Sequence, residues 1–369
     1  LLFPEDVPAA VTAIKEALDN KEISKKEIDA HCKKILQAKK WLNLTSQPKI
    51  ETKDLVKDLN SSEAQYLNQL LFESALTVVK NDNDLLPIRH LEEKKIATVN
   101  VGIDAENTFS SMVDMYCSAD KYDIPRNVSF EEANEKVEAL KDYTTIIIST
   151  FDMSQRPYQN FGFAKETNDF INLLAQDPSK EIILNVMGNP YCLEKMDCTD
   201  KVDAILINYE ERVETESLSA QLIFGGITAQ GILPVSIGQK WPEGFGLKTA
   251  SPIRLKYTLP EELGITAADL APIDEIVQEG LNLGVFPGCQ ILAAKDGKVF
   301  MYKGYGKHTY DKDAKAVETT DIYDLASITK IASSTASVMK LQDEGFLNVD
   351  STLDDYPVSY THLTLPTKV

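Results

Sequence analysis

Between residues 95 and 208 the chain alternates two patterns. Short, unbroken apolar runs rich in β-branched residues, "KIATVNV" (95–101), "TTIIIST" (144–150), "EIILNVM" (181–187) and "DAILIN" (203–208), are separated by segments with apolar positions at helical spacing near 130–141, 163–175 and 211–223. A strand that is apolar on both faces has to be covered on both faces. The alternation therefore predicts a parallel sheet between two helical layers, a three-layer α/β/α sandwich. Before it, residues 1 to 60 read as helices: Pro4 stands early in "FPEDVPAAVTAIKEALDNKEI", and Ser24 with Glu27 forms a capping box. The second of these helices carries Ile28, Cys32, Ile35 and Leu36 on one face. After the sandwich, the Gly- and Pro-bearing stretch from Gly231 to Gly264, beginning "GILPVSIGQK", predicts a terminal strand and a linker. A further unit then opens with a helix near 266–282 and two strands in "GCQILAAKDGKVFMYKGYG" (288–306) joined by Asp296-Gly297. Strand-like "DIYDLA" (321–326) follows, ahead of the apolar-periodic "ITKIASSTASVMKLQDEGF". The chain contains no internal repeat and no low-complexity tract.

A length of 369 residues with 43% hydrophobic content is enough for a sizeable core and suggests two or three domains. The formal charge of −19 argues against nucleic acid or anionic lipid as a partner, since both are held by clustered Lys and Arg. Cys32, Cys117, Cys192, Cys198 and Cys289 are odd in number and lack any CxxC spacing, so buried free thiols are expected instead of a disulfide framework or a zinc site. His31 and His90 stand isolated, and His308 lies in a hairpin-like polar stretch. No metal or cofactor is expected from them. The longest apolar runs are far too short to span a bilayer. No secretory leader pattern is present, and because the chain begins at Leu1 instead of Met, that says nothing about targeting.

The stretch "YDLASITKIASS" (323–334) carries the sharpest chemistry, Ser327 and Lys330 three residues apart. A serine at the start of a buried helix, with an amine one turn later on the same face, can lose its proton to that amine once the amine is desolvated. The same spacing occurs at Ser46/Lys49 and Ser337/Lys340. Ser46 precedes a polar loop containing Pro48. Ser337 lies about three turns into the helix that Ser327 opens, where no orphan backbone donors remain to hold an oxyanion. Taken alone, Ser327 and Lys330 better fit a helix-capping serine and a solvated lysine; the strand-like lead-in, the linker and the order of the pieces described below put the nucleophile ahead.

Several stretches resemble known families. "LLFPEDVPAAVTAIKEALDNKEISKKEIDAHCKKILQAKKWL" is similar to the end of the catalytic barrel of family 3 glycoside hydrolases, "ESALTVVKNDNDLLPI" to the lead-in of their C-terminal α/β sandwich, and "GGITAQGILPVSI" to its closing strand. "PGCQILAAKDGKVFMYKGYG" with "DIYDLASITK" resembles the start of a serine β-lactamase-like domain, the class that includes penicillin-binding proteins and related esterases. The order of the pieces looks like a bacterial β-N-acetylhexosaminidase of family 3 fused to a β-lactamase-related domain; a family 3 β-glucosidase and a non-catalytic peptidoglycan-binding module are the alternatives.

The resemblance implies a glycan or peptidoglycan-derived substrate and a periplasmic or secreted whole protein. It assigns Ser327 as nucleophile and Lys330 as general base, a role shared with a downstream tyrosine. It also implies that the glycosidase nucleophile and a histidine-based acid/base lie before Leu1, and that the Tyr-x-Asn or Ser-x-Asn and Lys/His-x-Gly elements lie past the end. The expected organisation is the end of the barrel and connecting helices at 1–60, sandwich at 61–240, linker at 241–262 and the N-terminal part of the β-lactamase-like domain at 263–357. The codons for Val358 to Thr367 can be written as a transposon-end sequencing adapter, so 358–369, His362 included, is expected to be an artefactual tail.

Three further stretches invite chemistry and have simpler readings. Glu210, Glu211, Glu214 and Glu216 in "NYEERVETES" follow a strand end, where some family 3 enzymes place an acid, but a solvated first helical turn complementing the helix dipole accounts for them. "MGNPY" (187–191) sits where open α/β sheets bind ligands and reads as turn chemistry. "GKVFMYKGYG" (297–306) reads as part of a hairpin and not as a phosphate loop.

Overall fold

The computed structural model describes residues 4–44, 46, 51–104, 106–352 and 355. The tail 358–369 lies outside the described residues. The chain divides into two compact units, Leu1–Gln65 and Tyr66–Val369.

The first unit is helical. α1 (Val7–Asp19) starts at Asp6, whose carboxylate accepts the Ala9 N–H at 2.9 Å, with Pro8 in the first turn where its missing donor costs nothing. α2 (Lys25–Trp41) opens with the expected capping box, Glu27 N–H to Ser24 Oγ at 3.2 Å and Ser24 N–H to Glu27 Oε2 at 2.8 Å. Neither helix buries a residue. Ile35 and Leu36 are 60% and 58% exposed, and Cys32 is exposed instead of buried as expected. Alternation of apolar and polar positions sets the face of a helix, but it supplies nothing to cover that face. α3 (Leu55–Leu59) follows, and α4 (Ser62–Ala75) contains the division between the units.

The second unit contains the sandwich. Its sheet has the order β1-β6-β5-β4-β2-β3, formed by β1 (Thr77–Asn81), β2 (Ile96–Val101), β3 (Asp120–Ile124), β4 (Thr145–Thr150), β5 (Glu181–Val186) and β6 (Ala204–Ile207). β2 to β6 run parallel, while β1 pairs antiparallel with β6 at the edge, so the sheet is mixed where the sequence pattern predicted a parallel one. β1 and β3 have no counterpart in the strand expectations. Both are edge strands; β3, "DKYDI", is largely exposed and carries charges, so it lacks the apolar run that marks a central strand.

α6 (Phe130–Ala139) and α7 (Lys165–Leu174) cover one face, with Ala133, Phe170, Ile171 and Leu174 packed on Val99, Ile146, Ile148 and Leu184. α5 (Thr108–Asp114) and α8 (Val213–Phe224) cover the other, with Phe109, Val113, Leu218 and Leu222 on Ile147, Ile183 and Leu206. This is the three-layer α/β/α arrangement. Burying each such side chain contributes about 1.5–3 kcal/mol, and Phe170, Ile147 and Leu222 are fully buried.

The α5/α8 face also carries polar residues. Asn100, Ser149 and Asn185 stand side by side in register on β2, β4 and β5. Asn185 donates to Ser149 Oγ at 3.0 Å and to Ser219 Oγ on α8 at 3.3 Å, and accepts from Asn208 at 2.6 Å. These buried groups satisfy one another only in part: Asn185 has partners for both its amide nitrogen and its oxygen, while Asn100 Oδ1 and Asn208 Oδ1 have none among the described residues.

"GILPVSI" forms no strand. Pro234 has no N–H to give to a ladder, and the segment instead makes single backbone bonds, among them Leu233 N–H to Phe245 O at 2.8 Å and Gly231 N–H to Leu76 O at 3.2 Å. The stretch expected as a linker is packed: Trp241 is 5% exposed and donates its indole N–H to Val79 O at 3.2 Å.

Beyond it, β7 (Lys256–Tyr257), β8 (Gly288–Lys295) and β9 (Lys298–Gly306) form a second sheet of order β7-β9-β8, and α9 (Ala267–Asn282) starts from a Thr266–Asp269 capping box. The Asp296-Gly297 turn joins β8 and β9, both residues at positive φ (52° and 75°) as such a turn requires. An ion-pair cluster ties this sheet to the sandwich. Lys256 Nζ reaches Glu73 at 2.6 Å and Glu262 at 2.8 Å, and Lys298 reaches Glu262 at 2.7 Å. Burial alone would raise the Glu262 pKa, but hydrogen bonds from Lys256, Lys298 and Thr258 outweigh it and hold the carboxyl below its ordinary value.

Candidate active site

Ser327 and Lys330 are brought together. Lys330 Nζ donates to Ser327 Oγ at 2.9 Å. The local backbone differs from the expected strand followed by a buried helix. Residues 321–325 form no strand; a 3₁₀ turn spans Ala326–Ile328, a π-helical stretch Lys330–Thr335, and α10 (Ala336–Asp343) begins only then. One turn of 3₁₀ geometry eclipses i and i+3, which is what places the lysine over the serine.

Ala326, immediately before Ser327, has φ of +43°, a conformation costly for a residue with a Cβ, and its N–H is held by Asp324 Oδ1 at 2.8 Å. No sequence signal marks that strain, because alanine is the least informative residue for φ. Both Ser327 and Lys330 are exposed, as is nearly every residue from 321 to 350. The geometry for proton transfer is in place, and the desolvation that turns an ammonium into a base is not.

Among the described residues, the other Ser-Lys spacings lack this contact. Lys49 lies outside the described residues, and Ser337 and Lys340 are both exposed on α10, with Lys340 paired to Glu344 at 3.6 Å. A further occurrence, Ser118/Lys121, is also structural, because Lys121 pairs with Asp114 at 2.5 Å.

The acidic run behaves differently from a solvated helical turn. Glu216 is 9% exposed, and its carboxylate accepts the Thr108 N–H at 2.8 Å and the Phe109 N–H at 3.3 Å, capping α5 from a neighbouring helix. Glu214 accepts from Asn68 Nδ2 at 2.7 Å, and Glu211 accepts the Asp152 N–H. The sequence gives the position of these acids after β6 but not that α5 begins opposite them.

Burial raises the Glu216 pKa, against the two backbone donors. An acid with a raised folded-state pKa contributes stability that is fully present below its ordinary pKa and is lost as pH rises through the folded value. Glu216→Gln, which keeps an acceptor for Thr108, is therefore expected to flatten that loss, with variant and wild type converging in acid and the variant the more stable at neutral pH. Urea unfolding at both pH values checks this; a variant less stable at neutral pH contradicts it.

"MGNPY" makes the expected turn, with Asn189 Oδ1 accepting the Tyr191 N–H at 3.0 Å. Burial pushes the Cys192 and Cys198 thiols up to about 12, so both are inert. His90, expected to be isolated, lies 3.6 Å from Glu92. Among the described residues, exposed His90, Glu92 and Glu93 are the group whose possible ligand atoms lie within 4.8 Å of one another. They sit on one exposed turn, an arrangement common without any ion. His308 Nε2 meets Asp321 Oδ2 at 2.6 Å. No helix among the described residues is long and apolar enough to cross a membrane.

Residues 273–363 match the family model described as Beta-lactamase. The C-terminal segment is β-lactamase-like. Ser327 and Lys330 fall inside it, together with β8 and β9. This chain is 46% identical over 78 residues to Protein flp of Staphylococcus aureus (strain N315), a match covering 21% of this chain and 15% of that protein. Thus the chain spans about 15% of the length of that relative. Among solved structures it is similar to a glycoside hydrolase family 3 β-N-acetylglucosaminidase from Paenibacillus sp. str. FPU-7 (TM-score 0.43, 17% identity, 61% of this chain and 42% of that one). It is also similar to a β-glucosidase from Listeria innocua (TM-score 0.44, 14% identity, 61% and 34%).

Proposed function

We propose that the β-lactamase-like segment performs serine acyl transfer, with Ser327 as nucleophile and Lys330 as the group that takes its proton. We further propose that the whole protein joins this chemistry to hydrolysis of terminal β-N-acetylhexosamine on cell-envelope glycans, in the periplasm or outside the cell. The observation that carries the first part is the 2.9 Å contact between Lys330 Nζ and Ser327 Oγ inside the β-lactamase-like segment. In the reaction Ser327 Oγ attacks an acyl carbonyl and its proton passes toward Lys330. The bond between the acyl carbon and its leaving group then breaks as the leaving group takes up that proton, and water hydrolyses the acyl-Ser327 ester, releasing the acid and restoring the hydroxyl. The second part rests on the sequence resemblance of residues 1–240 to family 3 glycoside hydrolases, and the choice of N-acetylhexosamine over glucose on the order of the pieces.

The whole protein should release nitrophenol from an aryl N-acetylglucosaminide faster than from the glucoside; the reverse preference favours the β-glucosidase reading. A peptidoglycan stem-peptide capture separates enzyme from binding module. An enzyme loses covalent capture on Ser327→Ala, while a binder keeps the same affinity.

A further inference from the structure

The C-terminal edge of the sandwich sheet holds a positioned guanidinium that the acyl-transfer reading does not use. In the strand order β1-β6-β5-β4-β2-β3 the chain reverses direction across the sheet between β2 and β4, and open α/β sheets leave a crevice at such a point. Arg126, two residues past Ile124 at the end of β3, lies over it. Its Nη1 donates to Asp152 O at 2.6 Å and its Nη2 to the Asp152 carboxylate, while Thr167 on α7 fixes its own carbonyl at 2.8 Å.

Two glycines make room for it. A Cβ on Gly102 would stand 3.1 Å from Arg126 Cγ and 2.8 Å from Phe151 O, and one on Gly162 would stand 3.2 Å from Arg126 Nη1 and 2.5 Å from Ser154 N. Both glycines have positive φ (95° and 82°), and so does Asp152 (51°). Glu211 holds the Asp152 N–H, so the partner of Arg126 is itself braced.

Arg126, Asp152, Ser154, Arg156, Gln159 and Gly162 line a cavity of about 560 Å³, a size suited to a small molecule. It sets two guanidinium groups against one carboxylate, on a chain whose formal charge is −19. Beside it Tyr158 is 75% exposed, and its hydroxyl accepts from Arg156 Nη1 at 2.7 Å. Fixed donors next to an accessible carboxylate acceptor suit hydroxyl groups, which need both. An exposed aromatic face suits the apolar side of a pyranose ring, and the excess guanidinium suits a carboxylate.

From this combination we propose that the cavity binds a carboxylate-bearing saccharide, its carboxylate on Arg126 and Arg156 and its hydroxyls on Asp152 and Gln159. The proposal is independent of Ser327 and of the identity of any glycosidic bond cleaved.

Titration of the full chain with D-glucuronate, D-glucose and acetate, followed by ligand-observed NMR and calorimetry, tests it. Glucuronate is expected to bind about tenfold or more tightly than either glucose or acetate. Arg156→Gln, on an exposed side chain, and Arg126→Gln are each expected to weaken glucuronate by about tenfold or more, toward the affinity for glucose. Thermal unfolding establishes that the variants are folded, and Arg156→Gln keeps the test decisive if Arg126→Gln is not. Equal binding of glucuronate and glucose, equal binding of glucuronate and acetate, or undiminished glucuronate binding by Arg156→Gln would each overturn it.

Discussion

Replacing Lys330 by methionine in the whole protein is expected to slow acylation of Ser327 by about 10²–10⁴-fold, the usual contribution of a positioned proton acceptor. Methionine keeps the length and apolar character of the stem while removing the amine that reaches Ser327 Oγ at 2.9 Å. Ser327→Ala should abolish acylation outright. Ser337→Ala, at an exposed position whose Lys340 pairs with Glu344 instead, should leave the rate unchanged. Measured acylation rates with an activated ester across this series check the assignment; a Lys330→Met variant as fast as wild type would remove the lysine from the mechanism.

The second large effect concerns stability. Lys180 has a side chain only 4% exposed, and its ammonium donates to Leu140 O at 3.1 Å, Lys141 O at 2.8 Å and Tyr143 O at 3.0 Å, with Asp177 at 3.6 Å. These carbonyls follow the end of α6, so the lysine supplies donors that the helix cannot supply for itself. Lys180→Met would keep the packing and leave those carbonyls unpaired in a buried place. The expected loss is about 2–4 kcal/mol, read as a fall in the urea midpoint at constant slope. Lys201→Met, on an exposed residue, should stay within about 0.5 kcal/mol of wild type. A Lys180→Met midpoint equal to that control would show that the carbonyls find water.

The central strands were legible because each is a largely β-branched run of strand length bounded by turns, as burial on both faces favours, with Asn100, Ser149 and Asn185 as buried polar exceptions. Of the helices around them, α6, α7 and α8 were legible from spacing, whereas the short α5 (Thr108–Asp114) was not expected. What the sequence hid depends on contacts distant along the chain. β1 and β3 are edge strands: β3, "DKYDI", is largely solvated and charged and so resembles a loop, while the buried part of β1 is only the short run Thr77–Val79. "GILPVSI" is as apolar as a strand, yet Pro234 and the available partners turn it into isolated backbone bonds. Glu216 is indistinguishable from its solvated neighbours until α5 is placed against it.

The candidate site divides the same way. The three-residue spacing of Ser327 and Lys330 announced the pair, whereas the strained Ala326 and the 3₁₀-to-π backbone around it left no mark in residue type. Arg126 drew no attention because a lone arginine carries no pattern. The signal that would have found it is a pair of glycines, Gly102 just past the end of β2 and Gly162 in the loop before α7, whose missing side chains make room for it.

The most direct measurement is intact-mass analysis of the whole protein after exposure to a β-lactam and to an activated ester, followed by peptide mapping of any adduct. A single acyl adduct confined to the peptide that contains Ser327, and absent from Ser327→Ala, is the predicted result. No adduct with any of several acyl donors, or an adduct that persists in Ser327→Ala, would contradict the assignment of Ser327 as the nucleophile.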